Sequence, residues 1–171
     1  FYQLLRQGQV ATTSAINVAQ YTDALEPLLQ AGKDVLVLAF SSGLSATYSS
    51  MQIAVDELAE KYPERKVYAV DTLCASLGQG LLMYLTARKK LREAPTMDEL
   101  GDWVEANKLH ICHWFTVNDL NYLKKGGRVS AATAFVGTML SIKPIITFSD
   151  DGQLQSIAKV RRRRQVQDLS L

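Results

Sequence analysis

The sequence comprises 171 residues, of which 47% are hydrophobic and 21% charged, with 10 glycines and 4 prolines. That composition excludes collagen-like, mucin-like and wholly disordered chains, and a net charge of +2 is too near neutral to mark a nucleic-acid binder by itself. Cys74 and Cys112 lie far apart, so they make no disulfide framework and fit a reducing, cytoplasmic setting, and no apolar run approaches the ~18 residues of a transmembrane helix.

Apolar periodicity predicts an alternating α/β order. Residues 2–7 read as the end of a helix closed by Gly8. The small polar loop Ala11-Thr12-Thr13-Ser14-Ala15 follows, and Asn17 is placed to cap a helix that runs to Gly32 with Pro27 inside it. Residues 34–40 form a continuous apolar run, the signature of a parallel strand covered on both faces. The loop Ser41-Ser42-Gly43-Leu44 comes next, then Ser45 as an N-cap, then a helix over 47–61 ended by Tyr62-Pro63. A strand over 66–71 and a helix over 76–93, in which Gly78 and Gly80 invite close packing, complete a βαβα unit with a parallel sheet.

Ala94-Pro95 is the expected domain boundary. Thr96-Met97-Asp98-Glu99 has the capping-box pattern and starts a helix that runs to Asn107. A strand over 109–117, a short helix over 118–124, a turn at Gly126-Gly127 and a small-residue helix over 131–140 are expected in that order. Strands over 143–148 and 154–160 flank Asp151-Gly152, a strong hairpin signal. The predicted fold is α/β: an incomplete parallel α/β/α domain over 1–95, followed over 96–171 by part of a second α/β domain with a mixed sheet containing the hairpin. The chain opens at Phe1 inside a helical pattern and stops at Leu171 on an unfinished one, so the first domain is expected to lack its N-terminal strand and the second to be truncated.

Four clusters of residues can carry chemistry. Ser41, Ser42, Ser45 and Thr47 stand where a strand meets a helix N-terminus, at the carboxyl edge of a parallel sheet, where backbone N–H groups and hydroxyls attract a carboxylate or phosphate. The plainer reading is that Ser45 only caps its helix. Gly43-Leu44-Ser45-Ala46-Thr47 also approaches the G-x-S-x-G nucleophile elbow, which leaves a Ser45-dependent acyl hydrolase as the alternative. Such an enzyme needs a histidine base, and the two histidines, His110 and His113, fall inside one expected strand. The adjacent hydroxyls of Thr12, Thr13 and Ser14 can hold a carboxylate.

On a strand, His110 and Cys112 share a face while His113 points away, and no second ligand pair of zinc spacing exists, so no metal is expected. Cys74, just before a helix, is expected to have a depressed pKa but to be inert for want of a base. Lys124-Lys125-Gly126-Gly127-Arg128 folds sharply enough for its cations to converge on one anion. The run Arg161-Arg162-Arg163-Arg164 fits an anionic partner or a solvated helix start, and a nucleic-acid module using it is a third reading that the overall charge opposes.

Taken in order, Thr-Thr-Ser after F-Y-x-x-L-R-x-G, then S-S-G-L-S-x-T-Y, V-D-T with S-L-G-Q-G, H-W-F-T-V-x-D-L, K-G-G-R-V-S, I-K-P-I-I and K-V-R resemble the DegV family throughout the chain. The resemblance spans the middle of a family member; the family's first strand and acidic D-S motif would precede Phe1, and much of the second domain would follow Leu171. It implies a bacterial fatty-acid-binding protein, the carrier subunit of a fatty acid kinase, serving phospholipid synthesis. Two α/β domains would enclose a long-chain acyl group, with no cofactor and no chemistry of the carrier's own. A separate ATP-dependent kinase subunit would make the acyl-phosphate.

By that resemblance Thr13 and Ser45 bind the carboxylate, Lys125 and Arg128 face the head group or phosphate, and Arg161 and Arg163 lie on the kinase-docking surface. The acyl tunnel would be lined by Leu81, Leu82, Phe115, Phe135, Met139 and Ile142, residues that read equally well as plain core. The chain departs from the family pattern in having Ala15 for glutamine, Ala46 for glycine, Lys125 for arginine and Arg162 for glycine. Lysine keeps the charge at 125 but loses the bidentate fork.

Overall fold

The computed structural model describes residues 1–117, 123, 126–128 and 143–160. Its elements are α1 (Tyr2–Arg6), α2 (Val18–Gln30), β1 (Val35–Ala39), α3 (Thr47–Lys61), β2 (Val67–Asp71), α4 (Ser76–Glu93), α5 (Met97–Asn107), β3 (Lys143–Phe148) and β4 (Leu154–Val160), with a 3-10 turn at Lys108–His110 after α5.

β1 and β2 pair in parallel, from Val35 opposite Val67 to Ala39 opposite Asp71. Alternation along the strands sends Val35, Val37, Val67 and Ala69 to one face, where they pack with Leu25 and Leu29 of α2 and Met51, Val55 and Leu58 of α3. Leu36, Leu38, Tyr68 and Val70 take the other face, against Leu82 of α4 and Trp103 and Val104 of α5. Helices on both sides are the reason these strands are apolar at every position but Asp71. Leu58, Leu82 and Val104 are buried to within 1% of full burial, and each such side chain is worth about 1.5–3 kcal/mol.

Of the three expected caps, Asn17 and Thr96 are present and Ser45 is not. Asn17 accepts from the Gln20 backbone N–H at 2.9 Å, and its own N–H donates to the Gln20 side chain at 3.1 Å. Thr96 and Glu99 make the same reciprocal pair, at 3.3 and 2.8 Å. Ala94 ends α4 in the left-handed conformation, with φ 46° and ψ 47°, and Pro95 prevents continuation. The chain then turns back: α5, beyond the expected boundary, lies on the parallel pair, where the Tyr68 hydroxyl donates to Asp102 at 2.8 Å.

β3 and β4 form the expected antiparallel hairpin, with a register shift at Ile145/Ile146. The strand expected over 109–117 is not formed. Lys108 to His110 continue α5 as a 3-10 turn, and within the stretch only Phe115 pairs, donating to Ile146 O at 3.0 Å and accepting from Ile146 N at 2.8 Å. His110 and Cys112 therefore share no strand face. The helix expected over 118–124 (apart from Leu123) and that over 131–140 lie outside the described residues.

Candidate functional site

The carboxyl ends of β1 and β2 open into two loops that are laced together. The Asp71 carboxylate accepts from Ser42 N at 3.2 Å and from Leu73 N at 3.1 Å, and Ser41 N donates to Cys74 O at 3.0 Å. Leu73 and Ser76 take positive φ, 52° and 51°, a conformation that costs an L-residue roughly 1–2 kcal/mol. Strain of that kind persists where surrounding bonds enforce it, and it concentrates at functional sites.

The first of these loops does not start its helix as expected. Leu44 N and Ser45 N both donate to Ser41 O, at 3.1 and 3.2 Å, closing a turn that shifts the N-cap to Ala46. The Ser45 hydroxyl instead accepts from Thr47 N at 3.2 Å. Thr47 Oγ1 accepts from Ile16 N at 3.0 Å and so ties the Thr12-Thr13-Ser14 loop to α3. Acceptance leaves each of these hydroxyls its proton to donate. Thr13, Ser14, Ser45 and Thr47 line one cavity of about 470 Å³, together with Phe40 and Arg128. Thr13 and Arg128 also border a neighbouring cavity of about 460 Å³ beside Leu5 and Val10. Ser41, counted among the donors on sequence, is fully buried and spent on Gly152 O at 2.7 Å.

A third cavity, of about 490 Å³, is walled almost wholly by apolar groups, among them Phe40, Leu44, Phe115, Phe148 and Leu154, and Arg128 stands at it too. Arg128 donates through Nε to Leu44 O at 3.2 Å and through Nη1 to Gly126 O. The hydroxyl-lined cavity and the apolar cavity thus share Phe40 and Arg128. Of the tunnel residues the resemblance implies, Phe115 lines this wall. Leu82 is core, packed with Val70 and Val104, and Leu81 is exposed. Phe135, Met139 and Ile142 lie outside the described residues, as do Lys125, Arg161 and Arg163. Sequence reasoning missed Phe40, Phe148 and Leu154; the first two are large apolar residues at the ends of strand runs, a signal shared with any core residue.

The other candidates resolve differently. Cys74 is buried, and desolvation, followed by the Asp71 charge, pushes its thiol up to about 11, against the expected depression. His113 Nδ1 lies 3.0 Å from Ile111 O, which only accepts, so Nδ1 carries the proton. Its ring lies tilted at 44° to that of Phe148, with centroids 4.5 Å apart, and abuts Gly78. Among the described hydrogen bonds no histidine reaches Ser45: His110 turns to Asn107. Among the described residues no group of three or more His, Cys, Asp or Glu could hold a metal, and no helix is long and apolar enough to cross a membrane.

A parallel α/β unit with an appended hairpin thus gathers hydroxyls and an apolar cavity around one arginine, Arg128. A family model described as DegV, an uncharacterised protein family, matches residues 1–168, and the chain belongs to that family. A DegV domain-containing protein of Clostridium perfringens is 46% identical over 96% of this chain, which spans 56% of that relative. A DegV lipid-binding protein of Thermotoga maritima superposes with a TM-score of 0.81 at 31% identity, over 98% of this chain and 57% of its own. A fatty-acid-binding DegV family protein of Thermus thermophilus gives 0.80 at 29% identity, with the same coverage of 98% and 57%. The chain therefore spans little more than half the length of the relatives it matches.

Proposed function

We propose that this protein is a non-catalytic carrier of a long-chain fatty acid. The carboxylate sits on the hydroxyls of Thr13 and Ser45, and the acyl chain runs past Phe40 into the apolar cavity. The observation that carries the reading is that a hydroxyl-lined cavity and an apolar one share Phe40 and Arg128, the division of polarity that a fatty acid has along its length. Hydroxyl donors to a carboxylate form short, charge-assisted bonds, and Arg128 offsets the negative charge. The lipid-binding relatives of Thermotoga and Thermus support the same ligand class.

The carrier presents the carboxylate to a separate ATP-dependent kinase that forms the acyl-phosphate in the bacterial cytoplasm for phospholipid synthesis. Arg128, with Lys125, faces the head group or phosphate, and Arg161 and Arg163 dock the kinase. The second part of the chain, 96–171, contributes the hairpin side of the site to the parallel unit of 1–95. Lipid extraction and mass spectrometry of the intact protein should find a bound long-chain fatty acid. Thr13→Ala combined with Ser45→Ala should weaken hexadecanoic acid binding by about tenfold or more, the loss of charge-assisted hydrogen bonds. No bound lipid, together with no uptake of added fatty acid, would refute the carrier; a double variant that binds normally would refute the two hydroxyls.

A further inference from the structure

We infer that Ser41 is a positioning residue: its hydroxyl bolts the loop that carries Ser45 to the hairpin that walls the apolar cavity, and so holds the two ends of the site at one separation. The inference rests on the fatty-acid reading and deepens it. Ser41 is absent from the lining of either cavity. It is fully buried, donates to Gly152 O at 2.7 Å and accepts from Gly43 N at 3.2 Å, a contact between segments 111 residues apart.

The fit around it has no slack. A Cβ on Gly43 would come within 2.6 Å of Asp151 O and Gly152 C, and one on Gly152 within 2.2 Å of Ser41 Oγ, where φ is already +74°. Only glycine lets the two backbones meet this closely. On one side of the bolt, the loop leads directly to Ser45. On the other, Phe148 and Leu154 flank the hairpin turn and face the apolar cavity. A ligand held at both ends gains most when those ends are already at the right distance, because binding then orders nothing further. Alanine at 41 leaves the Gly152 carbonyl and the Gly43 N–H without the hydroxyl that pairs them, and frees the loop to move against the hairpin.

The test titrates the full chain, wild type and Ser41→Ala, with hexadecanoic acid and with hexadecan-1-ol, which has the same tail and no carboxylate. Wild type should prefer the acid by about tenfold or more. Ser41→Ala should lose about tenfold for the acid while the alcohol changes by less than about twofold, so that the preference collapses. Gly152→Ala, which forces the two segments apart with the serine intact, should show the same acid-selective loss and serves if Ser41→Ala does not fold. Equal losses for both ligands would reduce Ser41 to a structural role, and unchanged acid affinity in a folded variant would remove the bolt; either overturns the inference. A wild type that does not distinguish acid from alcohol overturns the fatty-acid reading itself, and the inference with it.

Discussion

Cys74 stands just ahead of α4, where the helix dipole favours a thiolate. Burial outweighs that field: 1% of the residue is exposed, and desolvation with the nearby Asp71 charge takes the thiol up to about 11. An aromatic disulfide reagent at pH 8 should therefore titrate one thiol, the exposed Cys112, rapidly, and reach Cys74 only as fast as the protein opens. Two equally fast thiols would contradict the burial. Residues whose chemistry is local were legible in the sequence. Thr13 and Ser45 are hydroxyls in loops beside a helix start, and Arg128 follows a glycine pair; all three line the cavities around Phe40 and Arg128. Ser41 looked like one more donor of the same kind. Its partner, Gly152, lies 111 residues away, and no local pattern announces a contact of that span.

At the scale of elements, caps and periods explain what was readable. The helices over 47–61 and 76–93 have the expected bounds, since each begins beside a polar loop and ends at proline or just ahead of one. The strand expected over 109–117 fails because its residues serve three different purposes. Ile111 packs against the α4–α5 core, Phe115 pairs with β3, and His113 fills the notch at Gly78. That notch makes a prediction. A Cβ at residue 78 would fall within 1.8 Å of His113 Nε2, so Gly78→Ala must displace the ring and should destabilise the fold by about 1–3 kcal/mol, the usual cost of overpacking. Adding His113→Ala should recover part of that loss in a denaturant-unfolding double-mutant cycle. Strict additivity would show that the two residues do not meet.

For the whole molecule, the parallel unit and the hairpin each have their own sheet, and the site is assembled from both: Thr13, Ser45 and Phe40 from one, Phe148 and Leu154 from the other, with Arg128 between. Apolar periodicity pointed to an α/β fold and the hairpin signal to an antiparallel addition, yet the packing of α5 back onto β2 could not be read from a boundary marked by proline alone. On the carrier reading the ligand binds only the folded arrangement, so hexadecanoic acid at a free concentration 100 times its Kd should raise the unfolding free energy by about 2.7 kcal/mol, read as a shift in the urea midpoint. With affinity about tenfold lower, the Thr13→Ala, Ser45→Ala double variant should show about 1.4 kcal/mol, roughly half of that shift, at the same concentration. An equal shift in both proteins would place the ligand elsewhere.

The Ser41–Gly152 contact also sets a clock. Closing a loop of 111 residues costs more closure entropy than closing a local turn or hairpin, so a contact of such separation is expected to form after the local ones. The parallel pair and the hairpin can each be complete while the pocket does not yet exist. On the fatty-acid reading the ligand meets a finished site only after that contact has formed, and its binding energy should appear as slower unfolding rather than faster folding. On the carrier reading, cargo is not captured by a half-made site, and loading is the last event in maturation.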